Sequence, residues 1–202
     1  MRRSLVTTAL VAGLAVGGAS TAYAQGSAQP APWTSYSTTL VATGGDVWVR
    51  FYGADAGYTN QLFYVCALSC DQFLFQNNNT SISAPGSEMK LNGTFAAGQE
   101  VVFKLFVAST GDTWYTGDAT RNADGYAHFA TQLFNDVTAN ATYTLLGGFE
   151  DLRGGGDGDH NDMMFEFSGV TATPEPATFA LLAPALLGLG VYARRRRTTT
   201  ES

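Results

Sequence analysis

Basic residues are scarce in the body of this chain, and their scarcity removes a large class of partners. Lysine stands only at positions 90 and 104. Of the 11 Lys+Arg, Arg2 and Arg3 lie near the N-terminus and Arg194 to Arg197 near the C-terminus, which leaves five between them. Of the 17 Asp+Glu, only Glu175 and Glu201 fall in the C-terminal stretch, so the middle carries 15. The whole-chain charge of −6 therefore conceals a central region near −10. Nucleic acid, which requires a basic face, is excluded as a partner. Cations are favoured, although charge of this sign also serves solubility.

Cysteine is nearly absent, with Cys66 and Cys70 the only two. Without a histidine close by they make a poor zinc site. In an oxidising compartment they are expected to form a local disulfide, one that steadies a turn more than a fold. Long helical periodicity is missing from the middle of the chain, as are an internal repeat and a G-x-S-x-G nucleophile motif.

The two ends are composed differently from the middle. Arg2 and Arg3 precede an uncharged apolar run from Leu5 to Gly18, and Ala22-Tyr23-Ala24 forms a small-x-small site. This predicts a signal peptide over residues 1–24, cut between Ala24 and Gln25, and delivery to the Sec export machinery. At the other end, Pro174-Glu175-Pro176 precedes the uncharged stretch 177–193, which runs directly into Arg194, Arg195, Arg196 and Arg197. As a helix, that stretch covers about 25 Å, the short limit for a bilayer span. Its arginines are expected on the cytoplasmic side, an orientation consistent with an exported N-terminal part.

Between these ends, residues 25–38 read as a leader with Pro30 and Pro32, and residues 39–172 as one domain. Strands are expected at Leu40-Val41, Asp46 to Tyr52, Gln61 to Val65, Phe73 to Gln76, Glu100 to Ala108, Ala127 to Phe134, Ala141 to Leu146 and Met163 to Phe167. In the second of these, Val47, Val49 and Phe51 fall on one face and Trp48, Arg50 and Tyr52 on the other. Turn residues separate the stretches, as at Thr43-Gly44-Gly45 and Ala123-Asp124-Gly125. The expected fold is all-β, an antiparallel β-sandwich of jelly-roll type. Trp114 and Tyr115, near Gly111 and Gly117, are expected in a loop, either stacking on a sugar ring or anchoring the loop itself.

The densest chemistry lies between Gly148 and Phe167. Asp157, Asp159, Asn161 and Asp162 crowd into six residues, with Glu150 and Asp151 just upstream and Gly154, Gly155, Gly156 and Gly158 interspersed. Oxygen-bearing side chains alternating with glycine can wrap a hard cation. Asp157, Asp159 and Asn161 match the first half of an EF-type loop, D-x-D-x-N, but its remainder and flanking helices are missing. Calcium, which takes six to eight oxygens, fits better than magnesium. His160 alone is weak support for zinc. The same glycines and Asx side chains also suit a plain hairpin turn. Asn122, Asp124 and His128 are candidates to join this loop in space, although Asp124-Gly125 is equally a turn dipeptide.

Two resemblances follow from these residues. The order Pro174-Glu175-Pro176, apolar helix, arginine cluster closely resembles the PEP-CTERM sorting signal, here residues 173–202. It implies processing by an exosortase, transient membrane anchoring through the C-terminal helix, and a destination at the cell surface or in an extracellular matrix. Phe149-Glu150-Asp151-Leu152, then Gly155-Gly156-Asp157, then Asp159-His160-Asn161-Asp162 and Phe165 resemble the hallmark of a domain of unknown function common in secreted bacterial proteins. His160 stands where that motif has an aromatic residue. Looser likeness at Gly53 to Leu62 and at Arg121 to His128 extends this second resemblance over most of 46–170. It implies a β-sandwich with an acidic site and no assigned activity. The expected function is thus a structural or polysaccharide-associated surface module that binds calcium. The alternative is a hydrolase of extracellular polysaccharide using Glu150 with Asp151 or Asp157 as an acid–base pair.

Overall fold

The computed structural model describes residues 33–66, 71–79 and 81–173. The expected signal peptide with Ala22 and Ala24, most of the leader, and the C-terminal segment with Pro174, Glu175, Pro176 and Arg194 to Arg197 lie outside them. No α-helix occurs among the described residues, and none of their helices is long and apolar enough to cross a membrane. Cys66 is disulfide-bonded, whereas Cys70 lies outside the described residues.

The strands are β1 (Ser35–Tyr36), β2 (Thr39–Ala42), β3 (Trp48–Gly53), β4 (Asn60–Val65), β5 (Gln72–Gln76), β6 (Glu88–Lys90), β7 (Val102–Val107), β8 (Asp112–Tyr115), β9 (Phe129–Val137), β10 (Thr142–Phe149), β11 (Met163–Ser168) and β12 (Val170–Thr173). They form a six-stranded sheet in the order β1-β9-β10-β11-β3-β6, a four-stranded sheet β5-β4-β7-β8, and a two-stranded ribbon β12-β2. Every pairing is antiparallel. Each stretch expected as a strand overlaps one.

Period-two alternation assigns the inner faces. Val49 and Phe51 of β3, Phe165 and Phe167 of β11, and Phe129 and Phe149 from β9 and β10 are buried on one side of the core. Leu62 and Tyr64 of β4, Phe75 of β5, and Phe103, Leu105 and Val107 of β7 are buried on the other. The two sheets meet through rings: Phe75 lies 5.9 Å from Phe165, and Phe103 lies 5.0 Å from Phe167. Each such side chain taken from water contributes roughly 1.5–3 kcal/mol. The layers therefore form a sandwich held by a phenylalanine-rich interior. The ribbon closes one end, where Ala42 N–H donates to the Gln99 carbonyl and Val101 N–H to the Leu40 carbonyl.

Two expectations are corrected. The leader does not reach residue 38. β1 pairs with β9, Thr34 N–H donates to the Thr131 carbonyl at 3.1 Å, and Thr38 is buried with its hydroxyl on that of Thr131. The polar run Thr34 to Thr38 lacks apolar alternation, so its membership of the sheet rests on backbone pairing. Trp114 and Tyr115 belong to β8 rather than to a loop, and Trp114 is fully buried. A ring in that position is not available to stack on a sugar.

The outer face of the six-stranded sheet, the one opposite Val49 and Phe51, carries a buried polar network. Arg50 is 3% exposed and pairs with Glu166, itself 1% exposed, on the neighbouring strand β11. Its Nη2 also lies 2.6 Å from Asp136 Oδ2 of β9, and its guanidinium sits 4.4 Å over the Tyr143 ring. At about 4.8 Å per strand, a flat sheet would hold β3 and β9 roughly 14 Å apart. The register shifts between Tyr143 and Leu145, and the far end of the β9–β10 hairpin bends back over this face. Tyr52 meets Phe134 there at 6.2 Å, and Asn140 Nδ2 donates to Glu88 at 2.5 Å. Burial pushes the Glu166 carboxyl upward, against the pull of Arg50. We expect Arg50→Ala to leave that carboxyl uncompensated and to lower unfolding free energy in urea by about 3–5 kcal/mol. A loss below about 1 kcal/mol would show that the arginine does not hold the hairpin down.

Candidate metal centre

The site forms where β10 ends. Phe149 is the last residue of β10 and pairs with Met163, the first of β11. The acidic stretch Glu150 to Asp162 is therefore the connection between two central strands, and its first carboxylates start inside the sandwich. Glu150 is 1% exposed and Asp151 3%. Two groups of carboxylates share Glu150: one with Asp157 and Asp159, the other with Asp151 and Asp162, and in each the ligand oxygens lie within 4.8 Å of one another. No described lysine or arginine forms an ion pair with Glu150, Asp151, Asp157 or Asp162.

The loop's own backbone orients this charge. Gly158 N–H donates to Glu150 Oε2 at 3.2 Å and Leu152 N–H to Oε1 at 3.4 Å. Asp151 N–H donates to Asp162 Oδ2 at 2.7 Å. Asn161 donates to Asp159 from both its backbone N–H and Nδ2, and its carbonyl accepts from Asp55 N–H. The glycines are sterically required at two positions. Gly156 has φ +45°, and a Cβ there would overlap the Glu150 carboxylate; Gly155 has φ +87°, and a Cβ there would enter the Tyr126 ring.

Burial raises the Asp151 carboxyl despite the hydrogen bond from Asn60. Asp162 is pushed up to about 8, first by burial and then by the charges of Asp151 and Glu150, against the Asp151 amide. Carboxylates that are buried together and repel gain from a shared proton or from a cation.

Asn122, Asp124 and His128 come beside the loop as its support. Asn122 Oδ1 accepts from Tyr115 N–H and Nδ2 donates to the Tyr126 carbonyl, both at 2.8 Å. Asp124 Oδ2 takes Gly154 N–H at 2.8 Å and faces His128 Nε2 at 2.9 Å. His128 Nδ1 lies 2.8 Å from the Glu150 carbonyl, and Glu150 N–H donates back to the His128 carbonyl. The His128 ring stacks flat on Trp114 at 3.8 Å. His160 is engaged away from the two carboxylate groups: its ring nitrogens lie on the carbonyls of Gly158 and Ala127, both at 3.0 Å.

Three partners escaped the sequence reading. Asn60, fully buried on β4, donates Nδ2 to Asp151 Oδ2 at 2.7 Å. Trp114 Nε1 donates to the Asp151 carbonyl at 2.8 Å, and Trp33 Nε1 to the Asp159 carbonyl at 2.6 Å. A signal for Asn60 existed: it occupies the inward register of β4 with Leu62 and Tyr64, and a polar residue at a core position calls for a partner.

Residues 73–170 match the model of a family described as a domain of unknown function, DUF4114. The match takes in the acidic loop and its Asn122–His128 support, and begins downstream of Asn60. No curated protein and no solved structure matches the chain.

Burial opposes the charge on Asp124, yet hydrogen bonds from the Gly154 and Tyr126 amides and from His128 outweigh it and hold the carboxyl at about 2. A depressed carboxyl stabilises the fold above its unfolded value, near 4, and loses that contribution as pH falls toward 2. Asp124→Asn is therefore expected to cost about 2 kcal/mol at pH 7. The gap from wild type should close between about pH 4 and pH 2. Urea unfolding across that range measures it, and a gap constant with pH would refute the assignment.

Proposed function

We propose that this chain is an exported surface or matrix protein whose β-sandwich is completed by calcium at the Glu150–Asp162 loop. One observation carries the reading: Glu150, buried at the end of β10, belongs to two groups of three carboxylates, each with its oxygens within 4.8 Å of one another, and no described lysine or arginine is paired to Glu150, Asp151, Asp157 or Asp162. A hard divalent cation relieves that repulsion and offers the six to eight oxygen contacts such a set can supply. Magnesium demands stricter geometry and is the poorer fit for a loop this rich in glycine.

Export and sorting rest on the composition of the ends. The stretch Arg2 to Ala24 has the charge, apolar run and cleavage residues of a signal peptide. Pro174-Glu175-Pro176 with 177–193 and Arg194 to Arg197 has the order of an exosortase signal. Processing there leaves the sandwich outside the cell without its apolar tail, where extracellular polysaccharide is the partner at hand. The hydrolase alternative gains no support, because a glycosidase pair flanks its substrate at about 5–9.5 Å, whereas ligand oxygens of Glu150 lie within 4.8 Å of Asp151 in one group and of Asp157 in the other.

For the full chain in mild detergent, calcium at about 100 times Kd should add roughly 2.7 kcal/mol to stability and raise Tm, with chelator reversing it. Glu150→Gln should abolish the shift. No heat in calorimetry and no change in melting at millimolar calcium would sink the calcium reading. Mass spectrometry of the protein from an exosortase-bearing host should find Gln25 first and the arginine cluster gone; an intact tail in the extracellular product would sink the sorting reading.

A further inference from the structure

We propose that the centre holds two cations rather than one, with Glu150 bridging them, and that the inner cation lies between the two sheets with Asn60 Oδ1 as its neutral ligand. The inference rests on the calcium reading and deepens it.

The carboxylates divide into an outer and an inner set. Asp157 and Asp159 stand with Glu150 in the loop itself, whereas Asp151 and Asp162 stand with Glu150 where the loop joins β10 and β11. Glu150 presents two oxygens held by amides from different parts of the loop, Leu152 on Oε1 and Gly158 on Oε2. A carboxylate fixed in this way can give one oxygen to each ion.

Asn60 supplies an observation independent of the acidic residues. It belongs to β4 of the opposite sheet, is 0% exposed, and turns its amide into the inner set, where Nδ2 donates to Asp151 Oδ2. Its Oδ1 is buried and accepts no hydrogen bond. A buried acceptor without a donor is costly, and few native groups are left so. With Nδ2 committed to a carboxylate, rotation of the amide would set Oδ1 against Asp151 and exchange attraction for repulsion. A cation at the inner set satisfies Oδ1 directly, since amide oxygens are ordinary calcium ligands. It would also join the four-stranded sheet, through Asn60, to the six-stranded sheet, through Glu150, Asp151 and Asp162.

Calcium calorimetry on the full chain in mild detergent reads the stoichiometry. Two ions per chain are expected. Asn60→Leu should lose one and keep the other, and the double variant Asp157→Asn with Asp159→Asn should show the converse. Asp162→Asn, which keeps the side-chain shape, should weaken the inner ion by at least roughly tenfold and serves if Asn60→Leu fails to fold. Terbium gives a second readout. In a Trp33→Phe background, which removes the indole bonded to the Asp159 carbonyl beside the outer set, the indole of Trp114, bonded to the Asp151 carbonyl, should sensitise emission from the inner position, so the signal should persist in the Asp157/Asp159 double variant and fall in Asp162→Asn. A single calcium in the wild type, or tryptophan-sensitised emission unchanged by Asp162→Asn, overturns the inner site and leaves the calcium reading standing. No calcium bound at all overturns both.

Discussion

The desolvation of Glu150 and Asp151 governs the architecture around the loop. A carboxylate taken from water must find hydrogen bonds or opposite charge, or it destabilises the fold that buries it. Here the supply comes from two sides: loop amides of Leu152 and Gly158 reach the Glu150 carboxylate, and the Asn60 amide from β4 reaches that of Asp151, while the Trp114 indole fixes the Asp151 backbone carbonyl. His128 locks the backbone of Glu150 from both its carbonyl and its ring, and is itself clamped by Asp124 and by the face of Trp114. The glycines make room for these contacts. Gly156 yields to the Glu150 carboxylate and Gly155 to Tyr126, so the loop's composition follows from its packing as much as from its turns.

What could be read from the sequence follows from how local each signal was. The acidic loop was legible because its oxygens and glycines are adjacent in the chain. The strands were legible because Val49 and Phe51, or Phe165 and Phe167, alternate within a few residues. Trp114, by contrast, sits between Gly111 and Gly117, and short range made it look like a loop residue. The pairing of β8 with β7, the stack on His128 and the bond to Asp151, 37 residues away, fix it inside. Asn60 reaches Asp151 across 91 residues, and no pattern in one chain announces a pair at that distance.

Arg50 teaches the complementary lesson. Alternation placed it correctly opposite Val49 and Phe51, but alternation says nothing of what lies beyond the outer face. The far end of the β9–β10 hairpin, beyond the register shift between Tyr143 and Leu145, covers it and makes Arg50 part of a buried ion pair. The fold thus has two interiors of different character. The apolar one lies between the sheets and tolerates volume-conserving exchange. The ionic one lies under the hairpin and is intolerant of losing either partner.

The bond from Trp33 to the Asp159 carbonyl bears on the order of folding. It closes a separation of 126 residues, and Asn60, Trp114 and His128 must already be in place for the loop it caps to have its shape. Contacts so distant in sequence form slowly, since chain entropy is lost before they return any stabilisation. The acidic loop therefore cannot be finished early by a nascent or partly threaded chain. Its finished form brings together Trp33, Asn60 and Trp114 with the loop itself, which makes a complete centre a marker that the whole sandwich has closed.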